Sequence, residues 1–208
     1  MGADSFADAL RAAEHVGLDL TEIQQEQLCR FHAWLGSESL KAGGLGPSEA
    51  SRLWDRHIAD SLVFSTALGT AGDCVDLGSG TGLPGLPLAI AHPDVEFTLV
   101  DRSGRRCDLM RRAIAILQLT NCLVRQQDIS DTTGRFDAVV SRAAIPPALM
   151  MIHVKRLLRP GGTALLGLSR VGTDKIPATT PQSLAISLVS IPSDILDSGA
   201  SLLRIETT

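Results

Sequence analysis

The chain has 208 residues, of which 44% are hydrophobic and 20% charged, and its formal net charge is −4. This length and composition exclude a fibrous or disordered chain and predict one globular domain with a sizeable core. Aromatic residues make up only 3%, which argues against a nucleic-acid surface of stacked aromatic side chains, but the net charge does not exclude a local basic face.

The first 70 residues have the pattern of helices. Thr21 and Gln24 resemble a capping box at the start of the second helix, in which Leu28, Phe31 and Leu35 share one face. Three helices are predicted here: Ser5–Val16, Thr21–Leu35 and Ser48–Leu68, with a loop at Ser37–Pro47. We expect residues 1–70 to form a helical cap on the rest of the chain.

From Asp73 onward, strands alternate with helices, a pattern typical of a parallel sheet. The predicted strands are Cys74–Leu77, Val95–Val100, Cys122–Arg125, Phe136–Ser141, Thr163–Leu168, Leu184–Ile191 and Ser201–Ile205. The last two are expected to form an antiparallel hairpin at the edge. The sequence therefore predicts a mostly parallel, Rossmann-like α/β core over residues 71–208, which together with the cap makes one domain over residues 1–208.

A glycine-rich stretch follows the first strand, with Asp76 two residues before Gly78 and further glycines at Gly80, Gly82 and Gly85. Glycine allows a sharp turn and a close approach of a ligand, and the following helix directs its free amides to the same place. The spacing also satisfies the dinucleotide fingerprint, which is a weak signal alone. The acidic Asp76 and the alternating glycines favour S-adenosylmethionine (SAM) as the cofactor.

Polar residues at the ends of the next strands are further candidates, because open α/β sheets bind ligands at the carboxyl ends of their strands. Asp101 follows the second strand, where a carboxylate can accept from ribose hydroxyls. Asp128 and Ile129 follow the third and are candidates for the adenine. Arg142 follows the fourth, and we expect it to meet a carboxylate, a phosphate or the cofactor, since a buried arginine needs a partner.

Longer segments resemble a known family. Leu83-Pro-Gly-Leu-Pro87, Arg56-His-Ile-Ala-Asp-Ser-Leu62, Phe136-Asp-Ala-Val-Val-Ser-Arg-Ala143 and the Asp101…Arg105-Arg106 segment are similar to those of the RsmG (GidB) methyltransferases. The resemblance covers roughly residues 20 to 206. Two segments depart from the family's pattern: Lys41–Pro47 replaces its usual Asn-Leu-Thr, and Leu166-Gly-Leu-Ser-Arg170 has no lysine where the family usually has Leu-Lys-Gly.

The resemblance implies a class I SAM-dependent methyltransferase that acts on a guanine N7 of 16S ribosomal RNA, alone or in the small ribosomal subunit. Its cofactor contacts correspond to Gly78, Leu83, Asp128, Ile129 and Arg142. Two alternatives remain open: a methyltransferase for another RNA or a small molecule, and a paralogue that binds SAM without catalysing transfer. For transfer to N7 we predict no catalytic residue, since N7 needs no general base, and His57 is expected to be structural.

Arginines near the cofactor segments are candidates for RNA contacts, because RNA binding requires neutralised phosphates. Arg105, Arg106 and Arg170 are the ones we select, although a solvated, internally balanced helix face is an equally good interpretation for the first two.

The cysteines and the apolar pattern set the expected compartment. Cys29, Cys74, Cys107 and Cys122 contain no C-x-x-C pair, as expected for reduced thiols. The sequence has no signal-peptide pattern and no apolar run of about 18 residues. We expect a cytoplasmic protein with neither a membrane partner nor a bound metal.

Overall fold

The computed structural model describes residues 5–168 and 184–207. Its N-terminal part is helical, beginning with α1 (Phe6–His15) and α2 (Glu22–Trp34). The predicted capping box of α2 is confirmed, because the Thr21 amide donates to Gln24 Oε1 over 2.8 Å and the Gln24 amide donates to Thr21 Oγ1 over 3.4 Å. These bonds satisfy amides that have no partner inside the helix.

The prediction of one continuous third helix over residues 48–68 is wrong. The segment consists of a 3-10 turn (Pro47–Glu49), a π-helical segment (Leu53–Ala59), the short α3 (Asp60–Leu62) and a second 3-10 turn (Val63–Ala67). Side chains compete for its carbonyls: Ser61 Oγ donates to the His57 carbonyl, and Arg142 donates to the Arg56 carbonyl. A further π-helical segment, Leu35–Ser39, extends α2 into the predicted loop.

Seven strands form one sheet. They are β1 (Asp73–Leu77), β2 (Glu96–Asp101), β3 (Cys122–Gln126), β4 (Phe136–Arg142), β5 (Leu158–Gly167), β6 (Leu184–Ile191) and β7 (Ala200–Thr207). Their order is β3-β2-β1-β4-β5-β7-β6. Strands β1 to β5 are parallel, whereas β7 is antiparallel to β5 and to β6. The predicted mostly parallel sheet with an antiparallel edge hairpin is therefore confirmed.

Helices cover both faces of the sheet, because successive strand residues point to opposite sides. The N-terminal helices pack with α4 (Gly85–Ala91) and α5 (Gly104–Leu117) over the face that contains Cys74 and Leu99. The other face, with Val75 and Leu77, is covered by α6 (Pro147–Leu157). None of the described helices is long and apolar enough to cross a membrane.

The strand order reverses at β1, which lies between β2 and β4. In open α/β sheets this reversal leaves a crevice at the carboxyl ends of the strands, where ligands bind. The glycine-rich stretch leaves β1 at this point.

Candidate active site

A cavity of about 960 Å³ lies at the carboxyl ends of β1, β2 and β4. Its wall combines the loop after β1, the loops after β2, β3 and β4, and the helical region between Gly44 and Asp60. Eight of the site residues predicted from the sequence line this cavity: Gly78, Gly80, Leu83, Asp101, Arg106, Asp128, Ile129 and Arg142. These residues share one cavity, and their binding roles stay predictions.

Two glycines shape the loop between β1 and α4. Gly78 has a φ of +72°, and a Cβ there would lie 2.3 Å from the Cβ of Ala144. Gly80 has a φ of +63°, but a Cβ there would have no heavy atom within 4 Å. Gly78 is therefore required by the packing of the β4 loop, whereas Gly80 leaves open space for a ligand.

Asp76 lies fully buried behind this loop and does not line the cavity. Its Oδ2 accepts hydrogen bonds from the Gly85 amide over 2.9 Å and from the Ser79 hydroxyl. Its Oδ1 is buried and has no hydrogen-bond partner among the described residues. Burial raises the pKa of Asp76 to about 6, although the two hydrogen bonds act in the opposite direction. The carboxyl group therefore holds both ends of the loop and keeps one acceptor atom unpaired.

Asp101 connects the loop to the start of α5. Its Oδ2 accepts from the Gly80 amide over 3.0 Å, and its Oδ1 accepts from the Ser103 amide over 2.8 Å. Arg106 Nη1 lies 3.6 Å from Oδ2. A carboxylate has about four acceptor positions, so Asp101 can still accept from a ligand hydroxyl at the cavity wall.

The turn after β3 is held by Arg156 of α6. Its guanidinium group donates to the carbonyls of Ile129 (2.8 Å), Ser130 (2.9 Å) and Thr132. Asp128 Oδ1 accepts from the amide and the hydroxyl of Ser130, and these bonds lower the pKa of Asp128. The planar fork of arginine donors suits several carbonyls at once. Arg156 therefore fixes the backbone that presents Asp128 and Ile129 to the cavity.

Arg142, at the end of β4, connects the sheet to the helical region. Its Nη1 donates to the Arg56 carbonyl over 3.1 Å and lies 3.4 Å from Asp60 Oδ2. Its Nη2 lies 3.5 Å from His57 Nδ1, and His57 Nε2 lies 2.9 Å from Glu49 Oε2. The expectation that Arg142 meets a carboxylate is confirmed, and a contact with the cofactor stays a prediction.

His57 is held neutral between these groups. Burial lowers its pKa to about 3, assisted by the charges of Arg142, Arg56 and Arg52. Its partners assign the tautomer: Nε2–H donates to Glu49, and Nδ1 accepts from Arg142. Both ring nitrogens are thus engaged, as expected of a structural histidine.

Besides Asp76, three predicted site residues lie away from the cavity wall or outside the described residues. Gly82 has a φ of +93° and packs on Leu86. Arg105 is exposed, with its Nη2 3.6 Å from the Cβ position of Gly43. Arg170 lies outside the described residues.

Glu49 and the Ile145–Pro147 segment line the cavity, and Arg156 supports it, but none of them was predicted from the sequence. For Ile145–Pro147, the position just after β4 was a usable signal, because loops after parallel strands surround the site. Glu49 and Arg156 carried no local signal, since their roles depend on partners distant in sequence.

Comparisons with known proteins agree with this geometry. Residues 24–180 match the family model of rRNA small subunit methyltransferase G, GidB. The protein of that name from Acidothermus cellulolyticus is 32% identical over 165 residues, which cover 79% of this chain and 71% of that protein. The one from Mycobacterium leprae is 41% identical over 140 residues, or 65% of this chain and 57% of that protein. The alignments thus leave out more than a quarter of each relative.

Solved structures show the same fold at low sequence identity. A Klebsiella pneumoniae protein, provisionally named an O-methyltransferase, aligns with a TM-score of 0.66 and 11% identity over 97% of this chain and 96% of its own. A Methanococcus maripaludis protein, provisionally named an S-adenosylmethionine-dependent methyltransferase, aligns with a TM-score of 0.55 and 16% identity over 72% and 84% of the two chains.

The family match, the fold and the glycine loop together define a SAM-dependent methyltransferase with the class I fold. The chain belongs to the rRNA small subunit methyltransferase G (GidB) family, whose model covers most of its length. The expected family, fold class and cofactor are confirmed.

The site's residues suit SAM. The open space at Gly80 admits a ligand against the backbone, and the unpaired, buried Oδ1 of Asp76 is an acceptor available behind the loop. Asp101 and Asp128 add acceptors on the same wall. Among the described residues, no group of three or more His, Cys, Asp or Glu side chains could hold a metal ion.

The pKa of Asp76 predicts a pH-dependent stability. This carboxyl ionises near 3.8 in the unfolded chain and at about 6 in the folded protein. Between these values the folded state holds more protons, so the free energy of unfolding falls as the pH rises through this window. We expect the wild type to lose stability relative to Asp76→Asn as the pH rises, as measured by urea unfolding. A difference between the two proteins that stays constant from about pH 4 to pH 7 would contradict this prediction.

Arg156 gives a second prediction. Arg156→Gln removes the donors that hold the turn after β3, so we expect SAM to bind roughly fivefold to tenfold more weakly, the effect of about one hydrogen bond. The matched control is Lys155→Gln, because Lys155 is exposed on the same helix. Calorimetric titration with SAM measures both variants, and equal affinities would show that the turn does not depend on Arg156.

Proposed function

We propose that this protein transfers the methyl group of SAM to N7 of a guanine in 16S ribosomal RNA, with the RNA or the small ribosomal subunit as substrate. The observation that carries the proposal is the family match over residues 24–180, whose cofactor-contact positions line a single cavity. A role on the ribosome also implies that the protein works in the cytoplasm, and we propose that residues 1–208 form one domain for this task.

The residues that would hold SAM divide along its length. Asp101 would accept from the ribose hydroxyls, and Asp128 with Ile129 would bind the adenine. Gly78, Gly80, Leu83 and Arg142 would surround the amino-acid end, with Asp76 and Gly82 shaping the loop behind them. When bound, SAM supplies an electrophilic methyl group on a positively charged sulfur.

For methyl transfer to N7, the protein mainly has to position the two reactants. N7 of guanine carries a lone pair at neutral pH, so no general base has to remove a proton. The arrangement of His57 supports this, since both of its ring nitrogens are engaged and its pKa is about 3. Holding the two reactants in line is then the main source of rate acceleration. The cavity of about 960 Å³ lies at the upper end of the range for ligand pockets, about 300–1,000 Å³, which supports room for a cofactor and a base.

A labelled-SAM assay tests the proposal. The substrate is the small ribosomal subunit from a strain that lacks the N7 methyl group, and the product is located by nuclease digestion and mass spectrometry. Label on a guanine N7 of 16S RNA is the expected result. Label on another RNA or on a small molecule would contradict the proposed substrate, and SAM binding without any transfer would favour a non-catalytic paralogue.

Arginines near the cavity are proposed to bind RNA phosphates. Arg102 lines the cavity, Arg105 is exposed nearby, and neither makes an ion pair with the described residues. Arg106 is a less selective test, because it lies 3.6 Å from Asp101 and could affect the cofactor. Arg170 remains a candidate from the sequence alone.

We expect Arg105→Glu to weaken binding of the small subunit and to reduce its salt dependence, because one phosphate contact is lost. SAM affinity should not change. The matched control is Arg30→Glu on α2, an exposed charge reversal of the same size. Filter binding at several salt concentrations measures both, and equal RNA affinity of the two variants would refute a role for Arg105.

A further inference from the structure

The chemistry of N7 does not explain how the enzyme would select guanine. Adenine also has an N7 acceptor, and the two purines differ at the groups around positions 1, 2 and 6. Guanine presents an N1–H and an amino group at position 2, which are donors, whereas adenine has an acceptor at N1. An acceptor that faces this Watson–Crick edge would therefore select guanine over adenine.

The geometry of the base fixes where that acceptor must be. N7 and O6 lie on one edge of guanine, and N1–H and the 2-amino group lie on the adjacent Watson–Crick edge, which faces roughly at a right angle to the first. When N7 faces the methyl group, the Watson–Crick edge therefore faces a side wall of the cavity. The reader of this edge has to lie beside the line of transfer, among residues that do not hold the cofactor.

Among the described residues, four acidic side chains line the cavity: Glu49, Asp60, Asp101 and Asp128. Asp101 ends β2 and Asp128 follows β3, on the side of the wall that we assign to adenosine. Asp60 pairs with Arg142 over 3.4 Å. Glu49 belongs to the helical region, which forms the other part of the wall.

Glu49 is held in place by one of its two oxygens. Its Oε2 accepts from His57 Nε2 over 2.9 Å and lies 3.6 Å from Arg56 Nε. Within the described residues, no hydrogen bond engages Oε1. The side chain is only 27% exposed, so an acceptor here is partly shielded from water, where a hydrogen bond contributes more to selectivity.

We propose that Glu49 is the specificity-determining residue that reads the acceptor guanine, with its carboxylate accepting from N1–H and the 2-amino group. This inference rests on the proposed function. His57 positions the carboxylate, and its other nitrogen connects it to Arg142 at the end of β4. An adenine in the same place would point its N1 lone pair at the negatively charged carboxylate, and the two would repel each other. A site built to pair with such donors rejects a base that lacks them more strongly than an apolar pocket can.

The test uses the full-length enzyme and two forms of the small subunit. One contains guanosine at the position that the labelled-SAM assay identifies, and the other contains inosine, which keeps N1–H and N7 but lacks the 2-amino group. We expect the wild type to prefer guanosine by about tenfold to a hundredfold in kcat/KM, the effect of a hydrogen bond to a charged group.

Glu49→Gln is the informative variant. The amide oxygen can still accept from His57, while the amide nitrogen opposes the donors of guanine. We expect a lower kcat/KM with guanosine, a loss of most of the preference over inosine, and unchanged SAM affinity by calorimetry. The control is Glu26→Gln, which removes an exposed carboxylate on α2.

The outcomes separate the two proposals. If Glu49→Gln keeps the full preference for guanosine, or loses activity equally on both substrates, the residue does not read the base and the inference is overturned. If the wild type places no methyl group on N7 of 16S RNA, the proposed function itself fails. A merely structural role of Glu49 would alter both substrates alike and would leave their ratio unchanged.

Discussion

The buried carboxyl group of Asp76 holds the two ends of the loop between β1 and α4 at a fixed separation. Ser79 near the start of the loop and the Gly85 amide at the first turn of α4 both donate to the same oxygen. An unpaired buried acceptor is costly, and the second oxygen of Asp76 has no partner among the described residues. The protein therefore tolerates an unfavourable buried group behind the loop that forms one part of the cavity wall. Local costs of this kind are common at functional sites.

A second connection joins the helical region to the sheet. The guanidinium group of Arg142 contacts the Arg56 carbonyl, Asp60 and His57 at once, and His57 extends the connection to Glu49. Because these contacts are polar and directional, they fix the position of the helical region at the cavity mouth more closely than apolar packing alone would. The two parts of the wall thus have different supports: Asp76 for the loop after β1, and Arg142 for the helical region.

Features that depend on residues close in sequence could be predicted, whereas features that depend on residues far apart in sequence could not. The parallel strands and the capping box at Thr21 depend on local alternation and on neighbours three residues apart, and both were predicted. The π-helical segment Leu53–Ala59 was not predicted. Its Arg56 carbonyl accepts a hydrogen bond from Arg142, which lies 86 residues further along the chain. The same limit applies to Arg156, which reaches its partners across 24 to 27 positions. Local patterns located the acidic groups at the strand ends. The side chains that support these groups, or that line the other part of the wall, could be identified only from the folded structure.

The segment Lys41–Pro47, where the sequence predicts a departure from the family's pattern, lies where the two parts of the wall meet. Gly44 and Leu45 of this segment line the cavity beside Glu49, and a Cβ at Gly44 would lie 2.4 Å from the Thr81 side chain of the cofactor loop. Only glycine permits so close an approach. The segment therefore packs the helical region against the loop after β1. Because a Cβ at Gly44 would also lie 2.6 Å from the Ser39 hydroxyl, a larger residue here would force the helical region and the loop after β1 to shift apart.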